Sequence, residues 1–102
     1  MQIETSIGGD GQATISLKGR FDFNTHREFR TAIDEAVADA KVKGVQLDLG
    51  GVEYLDSSAL GMLLILRDKM GNAHKALALA NCRGSVRQVL DIANFGKLFN
   101  IL

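Results

Sequence analysis

Residues 50–66 have the sequence GGVEYLDSSALGMLLIL, and they carry the strongest structural signal in the chain. They predict the end of a buried strand, a short loop and an apolar helix with two serines in its first turn. The preceding residues, Val45–Leu49, alternate between apolar and polar side chains, as expected for a strand. We expect the rest of the chain to fold around this strand, loop and helix.

Ser57 lies where the predicted helix begins. A hydroxyl at this position can accept a hydrogen bond from a backbone N–H of the first turn, so Ser57 is the predicted N-cap, with Asp56 as the alternative. The start of a helix also carries partial positive charge and tolerates an added anion. The pattern therefore leaves two roles open for Ser57, a helix cap or a serine that could hold a phosphate.

The composition fits one globular domain spanning residues 1–102. Hydrophobic residues make up 46% of the chain, which is enough to build a core. The 12 basic and 12 acidic side chains balance, so the chain lacks the basic excess that nucleic acids and anionic membranes attract. We therefore expect neither of them as a partner.

Cys82 is the only cysteine, which excludes an internal disulfide and a cysteine metal cluster. A single thiol fits a reducing cytoplasm, and Cys82 is predicted to be a small buried hydrophobic residue. We see no signal peptide, and the longest apolar run, residues 62–66, is far too short to span a bilayer. The expectation is a cytoplasmic protein without a metal or cofactor.

The remaining elements are predicted from periodicity. Gln2–Ile7 and Ala13–Leu17 should form a hairpin, and a helix capped by Asn24 or Thr25 should run to about Ala40. Later elements are a fully covered strand, a helix with an N-cap serine and a short last strand: Ala76–Ala80, the helix after Ser85, and Leu98–Leu102. The order ββαβαβαβ indicates an α/β fold with one mixed sheet and helices mainly on one face.

The outward side of the central helix is less polar than a solvent-exposed helix face should be. Projected at about 100° per residue, one side carries the residues that should seat the helix on the sheet: Ala59, Met62, Leu63, Leu66 and Met70. The opposite side carries a line that we call the outward surface: Ser57, Gly61, Leu64 and Asp68, with Ile65 beside it. Leu64 and Ile65 predict either a docking patch for another protein or a site covered by a loop of this chain.

The segment Leu55–Gly61, with the sequence LDSSALG, resembles the signature loop and helix start of STAS domains, in particular the bacterial anti-sigma factor antagonists. Gly19–Asp22 is similar to the family's segment after the second strand, which carries an acidic residue near the phosphorylation site. The strand before the loop and the elements after it also follow the order of the family. The resemblance covers nearly the whole chain.

The resemblance implies regulation by partner switching. In this family, the unphosphorylated antagonist binds an anti-sigma factor, often one with serine kinase activity, and so frees the sigma factor. Phosphorylation of a serine in the signature loop abolishes binding, and a serine phosphatase reverses the modification. Carried over to this sequence, the acceptor falls on Ser57, with Ser58 as the alternative, and the acidic position falls on Asp22, which has a second possible role in starting the first helix.

We expect the partner to contact a surface around the acceptor: Asp22, Asp56, Ser58, Gly61, Leu64, Ile65 and Asp68. Phosphate adds about −1.5 to −2 charges at pH 7, and a docked partner would have to bury them beside an apolar contact. Phosphorylation is therefore predicted to disrupt the interface and to leave the fold intact.

Two other functions compete with this one. An enzyme with Ser57 as nucleophile is disfavoured, because no Gly-x-Ser-x-Gly elbow surrounds the serine and neither histidine lies in a segment expected to reach it. A scaffold or accessory subunit of a stress-signalling or transporter complex would use the same fold. The expectation is a non-enzymatic regulator that is a monomer or weak dimer.

Overall fold

The computed structural model describes all residues from Met1 to Leu102. Its strands are β1 (Gln2–Ile7), β2 (Gln12–Phe21), β3 (Gly44–Leu55), β4 (Ala76–Ala80) and β5 (Asn100–Ile101). Its helices are α1 (His26–Ala38), α2 (Ser57–Asn72) and α3 (Gly84–Ile92), with short 3₁₀ turns at Phe23–Thr25 and Phe95–Lys97. The predicted order ββαβαβαβ is confirmed. None of the helices combines the length and the apolar character that crossing a bilayer requires.

The five strands form one sheet in the order β1-β2-β3-β4-β5. Strands β1 and β2 pair in antiparallel fashion as the predicted hairpin, and all other neighbours are parallel. A helix connects each parallel pair, and such connections are almost always right-handed. Each connection leads to the neighbouring strand in the same direction across the sheet. Right-handed connections therefore place all three helices on one face.

The core lies between that face and the helices. Alternate residues of neighbouring strands share the covered face, so that Ile15 is aligned with Leu47, and Leu47 with Leu79. All three side chains are fully buried. Helix α2 adds four buried side chains from the side predicted to face the sheet: Ala59, Leu63, Leu66 and Met70. Burial of each large apolar side chain contributes about 1.5–3 kcal/mol, so this face fixes the orientation of α2.

Strand β3 is longer than predicted, because Gly50 and Gly51 continue the strand where the sequence indicated a loop. The register between β2 and β3 shifts near this point. A Cβ atom on Gly51 would lie 2.6 Å from Cγ of Lys18 and 3.0 Å from the carbonyl oxygen of Leu17. The glycine therefore allows two backbones to approach closely, and β3 runs directly to the start of α2.

The helix starts also differ from the predictions for Asn24 and Ser85, whereas Thr25 occupies the predicted N-cap position of α1 but makes no side-chain cap hydrogen bond. Asp22 caps the 3₁₀ turn before α1, since its carboxylate accepts a hydrogen bond of 3.0 Å from the backbone N–H of Asn24. This confirms the second role considered for Asp22. Arg83 occupies the N-cap position of α3 without a side-chain hydrogen bond, so Ser85 lies inside the helix.

The predicted last strand and one burial prediction were also wrong. The last strand contains only Asn100 and Ile101, whereas helix α1 ends at Ala38, close to the predicted end at about Ala40. In β4, the last two residues are buried but Ala76 is exposed, so the strand is only partly covered. Cys82 is half-buried and packs against the core, and burial raises the pKa of its thiol.

Lys75 holds the C-terminal end of α1. Its Nζ atom donates hydrogen bonds to the carbonyl oxygens of Ala36 (3.1 Å), Val37 (2.7 Å) and Asp39 (2.8 Å). The last carbonyl groups of a helix lack partners within the helix and carry partial negative charge, which a lysine ammonium satisfies. This contact ties the segment before β4 to helix α1.

Candidate functional site at the start of helix α2

The end of β2 and the start of α2 lie side by side. Parallel strands β2 and β3 end at the same edge of the sheet, where Phe21 is aligned with Leu55. The backbone N–H of Asp56 donates a hydrogen bond of 3.3 Å to the carbonyl oxygen of Phe21. The turn that begins with Asp22 is therefore next to the helix start that carries Ser57, as the resemblance implied.

Asp56 caps helix α2. Its backbone is extended (φ −103°, ψ −178°), and its Oδ1 atom accepts a hydrogen bond of 2.9 Å from the backbone N–H of Ala59. The same oxygen accepts a hydrogen bond of 2.6 Å from Oγ of Ser58. The prediction of Ser57 as the N-cap is wrong and the alternative is confirmed, because the carboxylate one residue earlier reaches the third N–H of the helix.

These contacts also set the acidity of the Asp56 carboxyl. The hydrogen bond from the Ser58 hydroxyl lowers the pKa of Asp56 below its ordinary value. Desolvation acts in the opposite direction, and hydrogen bonds from backbone N–H groups, including that of Ala59, lower the pKa further. The carboxylate of Asp56 therefore stays ionised at a lower pH than an ordinary aspartate does.

Ser57 and Ser58 have different environments. Ser57 is the first residue of α2, its side chain is exposed, and its hydroxyl makes no hydrogen bond within the chain. Ser58 is half-buried, and its hydroxyl is engaged by Asp56. Of the two serines, only Ser57 presents a free hydroxyl to a second molecule.

The outward surface of α2 is open to solvent. Leu64 and Ile65 are 37% and 55% exposed, so the alternative that a loop of this chain covers them is wrong. A Cβ atom on Gly61 would meet no other atom within 4 Å. Asp68 is exposed at the end of this line, beside Arg67. The helix thus presents an uncovered apolar strip about two helical turns after the free hydroxyl of Ser57.

Four further residues, not expected from the sequence, flank the site. The guanidinium of Arg20 lies 4.2 Å from the ring centre of Tyr54, and its Nε atom is 3.7 Å from Oδ2 of Asp22. Phe23 is 66% exposed and stacks on the ring of His26 at 5.2 Å. Strand alternation could have placed Arg20 outward, because its neighbour Phe21 is buried.

Neither histidine hydrogen-bonds to Ser57. Nδ1 of His26 lies 2.9 Å from the carbonyl oxygen of Phe23, and His74 follows the far end of α2. A serine nucleophile is activated by an adjacent general base, and Ser57 has no such partner in this arrangement. The geometry is that of a surface that another protein can contact.

Comparison with known proteins identifies the family. A family model described as "Mlab, STAS domain" matches residues 6–102. The chain belongs to the STAS domain family. This STAS domain is 49% identical over 102 residues to a STAS-domain containing protein of Pseudomonas aeruginosa, with 99% of both chains covered.

Other relatives of this STAS domain are anti-sigma factor antagonists. It is 34% identical over 93 residues to the anti-sigma-F factor antagonist RsfB of Mycobacterium tuberculosis, which covers 90% of this chain and 74% of RsfB. The structure of the Bacillus cell fate determinant SpoIIAA in the phosphorylated form matches with a TM-score of 0.75 and 18% identity, covering 99% of this chain and 91% of SpoIIAA. The family and fold implied by the signature segment are confirmed.

Proposed function

We propose that this STAS domain is an anti-sigma factor antagonist that acts by partner switching. Its unphosphorylated form binds an anti-sigma factor with serine kinase activity through the outward surface of α2. Phosphorylation of Ser57 ends this binding, and a serine phosphatase restores it. The observation that supports the proposal most directly is the exposed, unbonded hydroxyl of Ser57 on the outward surface of α2, about two helical turns before the exposed Leu64 and Ile65.

The hydrogen bonds at the helix start favour Ser57 over Ser58 as the acceptor. A kinase must reach a free hydroxyl, whereas the hydroxyl of Ser58 donates to Asp56 at 2.6 Å. A phosphate on Ser58 would remove this bond and place about 1.5 to 2 more negative charges beside a carboxylate. A phosphate on Ser57 leaves the cap unchanged.

The fold should tolerate phosphorylated Ser57. The modified side chain would lie at the N-terminus of a helix of 16 residues, where partial positive charge favours an anion. The cap depends on Asp56, and the seating of α2 depends on buried residues such as Ala59 and Leu63. None of these contacts involves the hydroxyl of Ser57.

The partner should not tolerate the same phosphate. A protein docked on Gly61, Leu64 and Ile65 would enclose the dianion beside apolar groups. A tenfold loss of affinity requires only about 1.4 kcal/mol. Removing an unpaired charge from water costs several times that amount. Asp22 and Asp56 add negative charge near the same position, so this chain neutralises less of the charge of the phosphate.

Titration of the purified domain with a purified serine-kinase anti-sigma factor from the same organism tests the proposal. We expect binding without ATP, loss of binding after incubation with ATP, and one phosphate on Ser57 by mass spectrometry. Ser57→Ala should bind with or without ATP, whereas Ser57→Asp and Ser57→Glu should bind weakly. Ser85→Ala is a matched control, because Ser85 is also an exposed serine in the first turn of a helix. Equal affinity for all variants would remove Ser57 from the interface.

Two measurements on the isolated domain complete the test. Circular dichroism should be the same before and after phosphorylation, and a collapsed spectrum would contradict an interface switch. Size-exclusion chromatography should show a monomer or weak dimer. A large assembly would instead favour a scaffold or accessory-subunit role.

A further inference from the structure

Helices α1 and α2 form an apolar groove that adjoins the outward surface at Ile65. Its floor consists of Phe29 and Ile33 from α1 and of Met62, Ile65 and Leu66 from α2. Its volume is about 170 Å³. The groove is an open apolar space between two helices whose other faces seat on the sheet.

The size of the groove indicates what can occupy it. Pockets for small-molecule ligands and cofactors typically measure about 300–1,000 Å³, which is well above the volume found here. A space of about 170 Å³ suits one large apolar side chain. Protein interfaces commonly place such an anchor side chain in a pocket of the partner.

The rim of the groove carries an excess of positive charge. Arg30 and Lys69 lie on opposite helices, and both pair with Asp34, with Nε of Arg30 at 3.9 Å from Oδ2. One carboxylate thus offsets two cations, in a chain whose 12 basic and 12 acidic side chains otherwise balance. The complement of this rim is a segment with acidic residues beside its apolar anchor.

The groove is continuous with the outward surface. Ile65 belongs to both, and Met62 lies one helical turn after Ser58. We propose that the groove receives an apolar side chain of the anti-sigma factor, flanked by acidic residues. This inference rests on the proposed function and extends the interface from α2 onto α1.

Methionine methyl signals report on the groove directly. The chain has three methionines: Met62 lines the groove, Met70 is buried in the core, and Met1 lies at the edge of the sheet beside Gly19. In a sample labelled with methyl-¹³C methionine, saturation with the purified anti-sigma factor should shift or broaden the signal of Met62. The signals of Met1 and Met70 should stay unchanged.

Charge reversal on α1 tests the rim. Arg30→Glu should slow association and lower affinity by about tenfold, because rim charges act mainly on the association rate. Arg27→Glu is the matched control on an exposed position of the same helix outside the groove, and its affinity should stay within about twofold of the wild type. Circular dichroism should confirm that both variants fold.

The outcomes separate this inference from the proposed function. A saturated complex in which the Met62 signal does not move would overturn only the proposal that the groove is a docking site. Equal affinities for Arg30→Glu and Arg27→Glu would have the same meaning. Failure of the wild-type domain to bind any serine-kinase anti-sigma factor would overturn the proposed function, and the inference with it.

Discussion

The hydroxyl of Ser58 donates a hydrogen bond of 2.6 Å to Oδ1 of Asp56, the same oxygen that caps helix α2 through the N–H of Ala59. One carboxylate oxygen thus organises two of the first three residues of the helix. Ser57 lies between these groups in sequence but takes no part in their hydrogen bonds. The helix start and the proposed phosphorylation site are therefore adjacent and structurally independent.

Removal of the cap should destabilise the domain. Asp56→Ala removes the acceptor for the N–H of Ala59 and should lower the free energy of unfolding by about 1 kcal/mol, within the usual range for lost N-caps. Ser57→Ala should change it by less than about 0.5 kcal/mol, because the side chain is exposed. Urea denaturation measures both. A loss for Ser57→Ala as large as that for Asp56→Ala would assign the cap to Ser57.

The lowered pKa of Asp56 predicts a pH-dependent contribution to stability. The ordinary pKa is 3.8, and hydrogen bonds to the ionised form lower it in the folded state. The contribution is therefore complete above pH 3.8 and is lost as the pH falls through the lower folded value. Asp56→Asn keeps a capping oxygen but not the charge.

Denaturation of the wild type and Asp56→Asn at several pH values tests the direction of this pH dependence. The wild type should be more stable at pH 7, and the difference should shrink as the solution is acidified. Ser58→Ala should reduce the difference, because it removes the main cause of the lowered pKa. A stability difference between the wild type and Asp56→Asn that grows at low pH would contradict a lowered pKa of Asp56.

Gly61→Lys should block docking without unfolding the domain. The position has open space around its missing side chain, and replacing a glycine within a helix usually stabilises it by about 0.5–1 kcal/mol. The lysine would project into the partner, and affinity for the anti-sigma factor should fall at least about tenfold. Calorimetric titration and thermal denaturation measure the two effects.

Gly71→Lys is the matched control for this experiment. Gly71 lies in the last turn of α2, and a Cβ atom there would also meet nothing within 4 Å. This variant should bind as the wild type does. Unfolding of Gly61→Lys would show that position 61 faces the core, and equal loss of binding by both variants would show a non-specific charge effect.

Lys75→Met should destabilise the domain through helix α1. The substitution keeps much of the aliphatic side chain but removes three hydrogen bonds from a charged donor to carbonyl oxygens at the helix end. Since Lys75 is half-buried, we expect a loss of about 1–2 kcal/mol in urea denaturation. Lys41→Met, at an exposed lysine, should be nearly neutral. Equal losses for Lys75→Met and Lys41→Met would mean that the three hydrogen bonds do not contribute to the free energy of unfolding.

Periodicity predicted most of the fold because it reports burial along each strand and helix. The bounds of β4, Ala76–Ala80, match the prediction, and four of the five residues predicted to seat α2 on the sheet are buried. The fifth, Met62, is half-buried and lines the groove between α1 and α2. The predicted loop at Gly50 and Gly51 was wrong for a tertiary reason. Two consecutive glycines are typical of a turn, and only the closeness of Lys18 on β2 shows that the strand needs a glycine at position 51.

The position of the candidate site could be predicted from the sequence, but its helix cap and the adjoining groove could not. Helical projection placed Leu64 and Ile65 outward, and the structure confirms their exposure. The sequence predicts the wrong cap because Asp56 and Ser57 are both good capping residues one position apart, and only the extended backbone of Asp56 distinguishes them. The groove was not foreseen, because it depends on how Phe29 of α1 meets α2 in space.

The dependence of the cap on Asp56 has an evolutionary consequence. Since helix α2 begins without help from residue 57, genetic drift at that codon leaves the architecture unaffected. Under the proposed function, a gene duplicate with alanine at position 57 would keep its sheet, its helices and its apolar strip, yet the kinase could not release it from the anti-sigma factor. In that scheme, one nucleotide change in a serine codon turns a reversible regulator into a permanently engaged paralogue.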